Sequence, residues 1–282
     1  MAGLADLSIE ADKNSSAGRH IFDREGVLVV KGFFPPAIIQ AAAAFLCASL
    51  EQVDALFNEY GFSLHDEDAS ARMAALVGQA TSLPEIHKHT FLGHFPLEVR
   101  LAEALREIAR VANARPLLFE LLGTRRLFAH MPPAARYVLP HCSLAGVPPH
   151  QDISYNRHLG EFCVVWVPLV PIDEACGGMA VYRKTNTAKE ILVDEAEPVT
   201  NGWLRPIESQ DLANTERVVL APLEPGDVVI LGRSTVHESM PNNSGRIRLS
   251  CDFRFFGEQS HSTKHYLDLA SDKIVSPRAA QD

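Results

Sequence analysis

Two histidines and an aspartate carry the chemistry most directly readable in this chain. His150-Gln151-Asp152 sets an imidazole and a carboxylate two residues apart, and His237 stands just ahead of a stretch of strict alternation. In an extended segment His150 and Asp152 project from one face. An imidazole brought over from position 237 then completes a set of two nitrogen ligands and one oxygen. Such a set, occupying one face of an octahedral ion, leaves the remaining positions open and suits Fe(II). The triplet alone is a weak signal in a chain of 12 His. His87-Lys88-His89 competes with it, and so does His141, although no carboxylate follows His141 two residues later.

Ten residues beyond His237 a second feature begins. Ile247, Leu249, Cys251, Phe253 and Phe255 alternate with Arg248, Ser250, Asp252 and Arg254, which is the period of a β-strand. One face suits an apolar layer. The other, with two guanidiniums, a hydroxyl and a carboxylate, is too polar for a core and suits the wall of a cavity that holds an anion. Arg248 and Ser250 are neighbours on that face, so a forked guanidinium and a hydroxyl can grip one carboxylate together. By the same alternation Arg246 competes with Arg248, and Arg254 is expected to pair with Asp252.

Together, His150-x-Asp152, His237, Arg248 and Ser250 resemble the iron- and 2-oxoglutarate-dependent oxygenases, and within them the phytanoyl-CoA dioxygenase family. Further matches are Ser239, Asn242 and Ser244 between the second His and the Arg, the Glu224-Pro225-Gly226-Asp227 turn before Val228-Val229-Ile230-Leu231, and the opening run from Phe22 to Phe33. The resemblance runs from about His20 to Phe256. It implies a double-stranded β-helix, or jelly roll, with Fe(II) held at one open end by His150, Asp152 and His237. It further implies 2-oxoglutarate as cosubstrate with its far carboxylate on Arg248, aided by Ser250 and Ser239, and O2 as oxidant. The family spacing thereby selects Arg248 over Arg246. The implied reaction hydroxylates an aliphatic C–H bond of a small-molecule metabolite and releases succinate and CO2. Halogenating relatives carry a small residue where Asp152 stands, so its carboxylate favours hydroxylation, or a related desaturation or ring closure. Tyr155 and Trp166, which follow the first ligands, are weaker candidates for contact with substrate. Two other readings compete: a nucleic-acid demethylase of the same chemistry, and a cupin-like metal- or ligand-binding protein or zinc hydrolase using the same three ligands.

The elements that must position these residues follow from pattern. Helices fill the first half: Pro36 to about Phe57, Pro96 to Ala112 with an apolar stripe from Leu97 to Val111, and Pro116 to Leu122 ending at Gly123. From Arg125 the chain turns to short strands at 127–129, 136–139, 162–170, 179–183, 218–221, 228–231 and 247–255, the pattern of an antiparallel sandwich or barrel. The expected class is therefore α+β with a mainly β core of jelly-roll or cupin-like form and flanking helices. Within 282 residues, 20–270 are expected to form a single domain, with a mobile stretch at 1–19 and a frayed tail at 271–282. Polar residues through Pro206 form a long loop of the kind that carries function. A net charge of −9 argues against a nucleic-acid partner. No run is read as spanning a membrane, and five scattered Cys without paired spacing read as thiols of a cytoplasmic protein. Oligomeric state is not readable.

Overall fold

The computed structural model describes residues 3–12, 15–78, 83–142, 146–186, 207–208 and 210–277, and the alternating stretch lies at its centre. A 3-10 turn, Leu4–Leu7, leads into β1 (Ser8–Glu10), α1 (Ser15–Glu25) and β2 (Val27–Lys31). A helical block follows: α2 (Pro36–Glu59), α3 (Ala69–Gly78), α4 (Glu85–Phe91), α5 (Leu97–Arg100), α6 (Glu103–Asn113) and α7 (Pro116–Leu122). The rest is mostly strand: β3 (Leu127–His130), β4 (Ala134–Val138), a single turn α8 (Asp152–Tyr155), β5 (Phe162–Pro168), β6 (Met179–Tyr182), β7 (Arg217–Leu220), β8 (Val228–Gly232), β9 (His237–Ser239), β10 (Arg248–Gly257), β11 (Tyr266–Asp268) and β12 (Lys273–Val275).

Nine strands form one mixed, open sheet in the order β1-β2-β8-β5-β10-β3-β11-β12, with β4 also paired to β10. The second sheet is β7-β6-β9. β10 is pinned on both edges: β5 pairs it from Ser250 to Phe256, β4 from Arg248 to Asp252, and β3 from Phe255 to Gly257. Its alternation then sorts two environments. Leu249, Cys251, Phe253 and Phe255 enter a core shared with Ile39, Leu46 and Phe57 of α2 and Leu105 and Ile108 of α6. A second apolar layer lies where Trp166, Val229 and Leu231 of the large sheet meet Met179, Val181 and Leu220 of the small one. This is the expected jelly-roll-like β core with helices on one side.

Proline and glycine set the helix ends as expected. α2 and α7 begin on Pro36 and Pro116, whose missing N–H is no loss in a first turn, and α7 stops at Gly123 with φ +60°. At 24 residues α2 is long and apolar enough to cross a membrane, yet Ile39, Leu46, Val53 and Phe57 are buried in the core.

Other expectations are corrected. The helix foreseen from Pro96 to Ala112 is two, because the backbone turns extended at Ala102 and restarts at Glu103. The stripe is broken with it: Leu105, Ile108 and Ala112 are buried, whereas Leu97 and Leu101 are exposed. Ser8–Glu10 lies in the stretch read as mobile but pairs in parallel with Val29–Lys31, anchored by fully buried Leu7. Lys273–Val275, in the stretch read as frayed, pairs with Tyr266–Asp268. Most of the polar loop expected before Pro206, residues 187–206, lies outside the described residues.

Candidate active site

Between the two sheets lies a cavity of about 330 Å³, walled by the polar face of β10. Arg248, Ser250, Asp252 and Arg254 all line it, joined by Arg136 and Val138 of β4 and Trp166 of β5, which sit opposite them in register. Ser239 of β9 and Tyr155 of α8 line it as well. His150, Asp152, His237, Arg248, Ser250, Ser239, Tyr155 and Trp166, the residues the family resemblance favours, therefore face one space.

His150, Asp152 and His237 meet within it, each offering a ligand atom within 4.8 Å of the others. Among the described residues no other such group of His, Cys, Asp or Glu occurs. His141 does not line the cavity; His89 does, away from this group. The segment carrying the first two is not extended throughout. His150 exchanges both backbone hydrogen bonds with His237, at 3.0 Å each, and Asp152 then opens the turn α8. The convergence thus comes from a bridge plus a helical turn rather than from strand alternation, and the two imidazole rings lie 4.2 Å apart.

Backbone carbonyls fix how those rings present themselves. His150 Nδ1 is 2.8 Å from the Pro148 carbonyl and His237 Nδ1 is 2.9 Å from that of Thr235. A carbonyl only accepts, so each Nδ1 carries the proton and each Nε2 keeps its lone pair for an ion. Asp152 divides its oxygens: Arg254 Nη2 donates to Oδ1 at 2.9 Å, while Oδ2 lies 3.3 Å from His237 Nε2. Ligands cis to one another at the usual metal bond lengths are about 3 Å apart, so this spacing fits a single ion bound to one Asp oxygen. Arg254 was expected to pair with Asp252; it pairs with Asp152 instead, because the turn at α8 brings Asp152 over the end of the strand.

Charge follows burial and partners. Burial opposes ionisation of Asp152, but Arg254 and the two imidazoles hold its carboxyl well below the usual range. Burial, then His237, pushes His150 down to about 3, leaving it neutral as a ligand must be. Burial likewise works to lower His237, yet the hydrogen bond to Asp152 raises it.

The other end of the polar face is an anion seat. Arg248 is 4 % exposed, and burial pushes it down to about 10. Its Nη1 donates to the carbonyls of Gly177 at 2.8 Å, Met240 at 2.9 Å and Gly178 at 3.3 Å. Among the described residues Nε has no acceptor and the guanidinium has no carboxylate partner. Gly177 makes this possible: its φ is +60°, and a Cβ there would lie 2.1 Å from the Pro241 carbonyl. Arg246, the competitor, is exposed and bonded to Asp173 and the Pro171 carbonyl, because β10 begins only at Arg248 and the alternation does not extend back to it.

Supporting residues escaped the sequence reading. Thr235 Oγ1 donates to the Gly26 carbonyl at 2.6 Å, and Val236 N donates to Thr185 Oγ1, which together seat the residues just before His237. Asn156 Nδ2 reaches Asp152 Oδ1 at 3.2 Å. Arg136 was within reach, since Ala135 and Tyr137 flank it in an alternating strand. The carbonyls of Pro148 and Thr235 leave no signature in residue type.

The family model for phytanoyl-CoA dioxygenase (PhyH) matches residues 22–250. A curated relative, the 1-deoxypentalenic acid 11-beta-hydroxylase of Streptomyces exfoliatus, is 32% identical over 119 residues, a match spanning 40% of this chain and 42% of that one. Its counterpart from Streptomyces arenae is 29% identical over a similar span, 120 residues covering 40% of this chain and 42% of that one. Among solved structures, the epimerase SnoN in complex with Fe3+, alpha ketoglutarate and nogalamycin RO shares the fold at a TM-score of 0.58 and 16% identity, covering 95% of this chain and 96% of that one. With the motif-bearing strand, the opening helix and strand and the matched span all in place, the chain belongs to the phytanoyl-CoA dioxygenase (PhyH) family.

Proposed function

We propose that the chain is an Fe(II)- and 2-oxoglutarate-dependent dioxygenase that hydroxylates an aliphatic C–H bond of a small-molecule metabolite. The observation that carries this reading is the buried Arg248 guanidinium, which among the described residues has no carboxylate partner and no acceptor for its Nε, facing the same cavity as the three-ligand group. A zinc hydrolase or cupin-like binder needs the ligands but has no use for a buried cation built to take a carboxylate.

In this reading His150, Asp152 and His237 hold the ion, with Pro148 and Thr235 carbonyls orienting the imidazoles and Arg254 anchoring the Asp152 oxygen that does not ligate. Holding an ion there requires Asp152 ionised and both Nε2 atoms without a proton. Bound Fe(II) with O2 supplies the oxidising chemistry, coupling decarboxylation of 2-oxoglutarate to succinate and CO2 with oxidation of the substrate C–H bond. Arg248 takes the far carboxylate of 2-oxoglutarate, with hydroxyls of Ser250 and Ser239 alongside. Burial of that pair excludes water and strengthens it. Tyr155, whose ring stands edge-on to His150 at 5.3 Å, and Trp166, 6 % exposed, shape the substrate's side. Their task is aim: the C–H bond to be oxidised must sit closer to the reactive centre than any side chain. The relatives named as hydroxylases support this outcome over epimerisation or ring closure. Four buried thiols and one exposed, none in a disulfide, suit a reducing compartment.

Anaerobic addition of Fe(II) and 2-oxoglutarate is expected to give a weak visible charge-transfer band. Intact protein without that band rules the reading out. Given the band, succinate release with small-molecule candidates and none with methylated oligonucleotides separates the metabolite hydroxylase from the demethylase.

A further inference from the structure

The cavity continues past the three ligands and Arg254 to Arg100, His130, His158 and Lys264, which this chemistry leaves unused. Five Arg and Lys side chains line it against two Asp and no Glu, in a chain of net charge −9. Arg248 is assigned to the cosubstrate. Arg254, six residues further along β10, lies about 20 Å away at the usual rise of a strand, too far for one five-carbon diacid to touch both.

Around Arg254 stand Arg100, His130 and His158, close enough for each to feel its charge. Arg100, at the end of α5, gives its Nε to the Pro133 carbonyl at 2.9 Å and has no carboxylate partner among the described residues. The His130 and His158 rings lie 4.5 Å apart, and the Nε2 of each is buried without a partner among the described residues. Burial and neighbouring cations push His130 down to about 3 and His158 down to about 4, so both rings are neutral near pH 7. They offer hydrogen bonds without adding charge.

Among the described residues this end therefore holds one guanidinium without a carboxylate, two imidazole nitrogens without a partner and, at the exposed edge, Lys264. A carboxylate answers all of them. Its two oxygens provide about four acceptor sites, two for the fork and two for imidazole N–H groups. A neutral group would leave Arg100 uncompensated. The intervening lining of Pro132, Ala134 and Trp166 offers apolar contact to a carbon skeleton.

We propose that the substrate is itself a carboxylic acid, seated by Arg100, His130 and His158 at the end of the cavity away from Arg248, with its skeleton lying back toward the three ligands. The fate of that substrate rests on the oxygenase reading above; the seat does not.

The test uses the full chain and a panel of linear, cyclic and aromatic monocarboxylates, each beside its methyl ester and its phosphonate analogue. Thermal shift reports binding to metal-free protein, and perturbation of the charge-transfer band reports it in the loaded enzyme. At least one acid is expected to bind where its ester does not. Arg100→Gln should weaken that acid by at least about tenfold, the worth of a charged hydrogen bond, with Arg100→Lys regaining part. His158→Gln should weaken it severalfold. For an acid that turns over, Arg100→Gln should raise KM with kcat largely kept. Esters binding as well as acids overturn the seat, as do phosphonates binding where no carboxylate does. Acid binding unchanged in both variants also overturns it. Should Arg100→Gln fail to fold, the acid-against-ester contrast in the natural chain and His158→Gln still decide. A charge-transfer band without acid preference sinks the seat alone. Acid preference without a band supports the seat and sinks the oxygenase reading.

Discussion

Removing Arg248 gives the sharpest test of the cosubstrate assignment, because the structure fixes how many contacts are lost. Nη1 is already taken by three carbonyls, so a bound carboxylate is left the edge formed by Nε and Nη2. Two charge-assisted hydrogen bonds at about 1.5–3 kcal/mol each amount to about 3–6 kcal/mol. At about 1.4 kcal/mol per decade that is a rise of roughly a hundredfold to ten-thousandfold in the 2-oxoglutarate Kd. Ser250 and Ser239 remain in Arg248→Ala, and water enters the space vacated, so the lower figure is expected. Arg248→Lys keeps the charge but loses the fork, and should fall between. Iron binding should persist, since no ligand atom is touched. The assay is anaerobic calorimetric titration of the iron-loaded protein with 2-oxoglutarate, with iron content measured on the same samples. Arg246→Ala is the control: its exposed ion pair with Asp173 predicts a change of about twofold at most. A defect in Arg246→Ala that equals or exceeds that of Arg248→Ala would transfer the role and refute the reasoning.

Three further outcomes follow from particular contacts. Asp152→Ala removes a ligand and leaves the partly buried Arg254 without the carboxylate it bonds, so iron content should collapse and stability fall by about 2–4 kcal/mol, somewhat less than for a fully buried pair; iron retained near one equivalent would remove Asp152 from the ligand set. Gly177→Ala forces a Cβ into the Pro241 carbonyl at a positive φ, costing about 1–3 kcal/mol and shifting an acceptor of Arg248. Both Tm and 2-oxoglutarate affinity should drop, whereas Gly245→Ala, with nothing near its Cβ, should leave both unchanged. Glu25 is 1 % exposed and held down to about 2 chiefly by its hydrogen bond to Arg183, from an ordinary value of 4.5. Its folded pKa is depressed, so the stability it contributes is fully present above pH 4.5 and is lost as pH falls toward 2. At about 1.4 kcal/mol per unit the contribution is at most about 3 kcal/mol. The Tm gap between the natural chain and Glu25→Gln should therefore narrow on titration from pH 6 to 3, and a constant gap would show the pair to be unimportant.

What the sequence made legible was local. Strict alternation from Ile247 to Phe255 marked a strand and sorted its faces correctly, because a residue's side in a sheet depends only on the parity of its position. The same argument failed for Arg246, since parity holds only where the chain is extended and the strand starts two residues later. It succeeded by another route at His150 and Asp152, which converge through a bridge and a turn rather than by facing the same way. Periodicity also missed the break at Ala102, where nothing in the residue type interrupts an apolar stripe. Of the seat, only His158 stood out in the sequence, by following the first ligands closely; Arg100 and His130 come from two other segments, and only tertiary packing brings the three to one end of the cavity.

That packing makes β10 a ruler. Its polar face sets Arg248 at one end, Ser250 and Asp252 between, and Arg254 at the other. Pairing to β5 along one edge and to β4 and β3 along the other leaves neither end free to move alone. The distance from the cosubstrate's anchor to the support of Asp152 is therefore set by the rise of the strand and not by the flexibility of loops. A substrate gripped beyond Arg254 is measured from the same scale. Which carbon meets the reactive centre then depends on how far it lies from the gripped end, so lengthening an acid by one methylene should move the site of oxidation along its skeleton instead of abolishing binding.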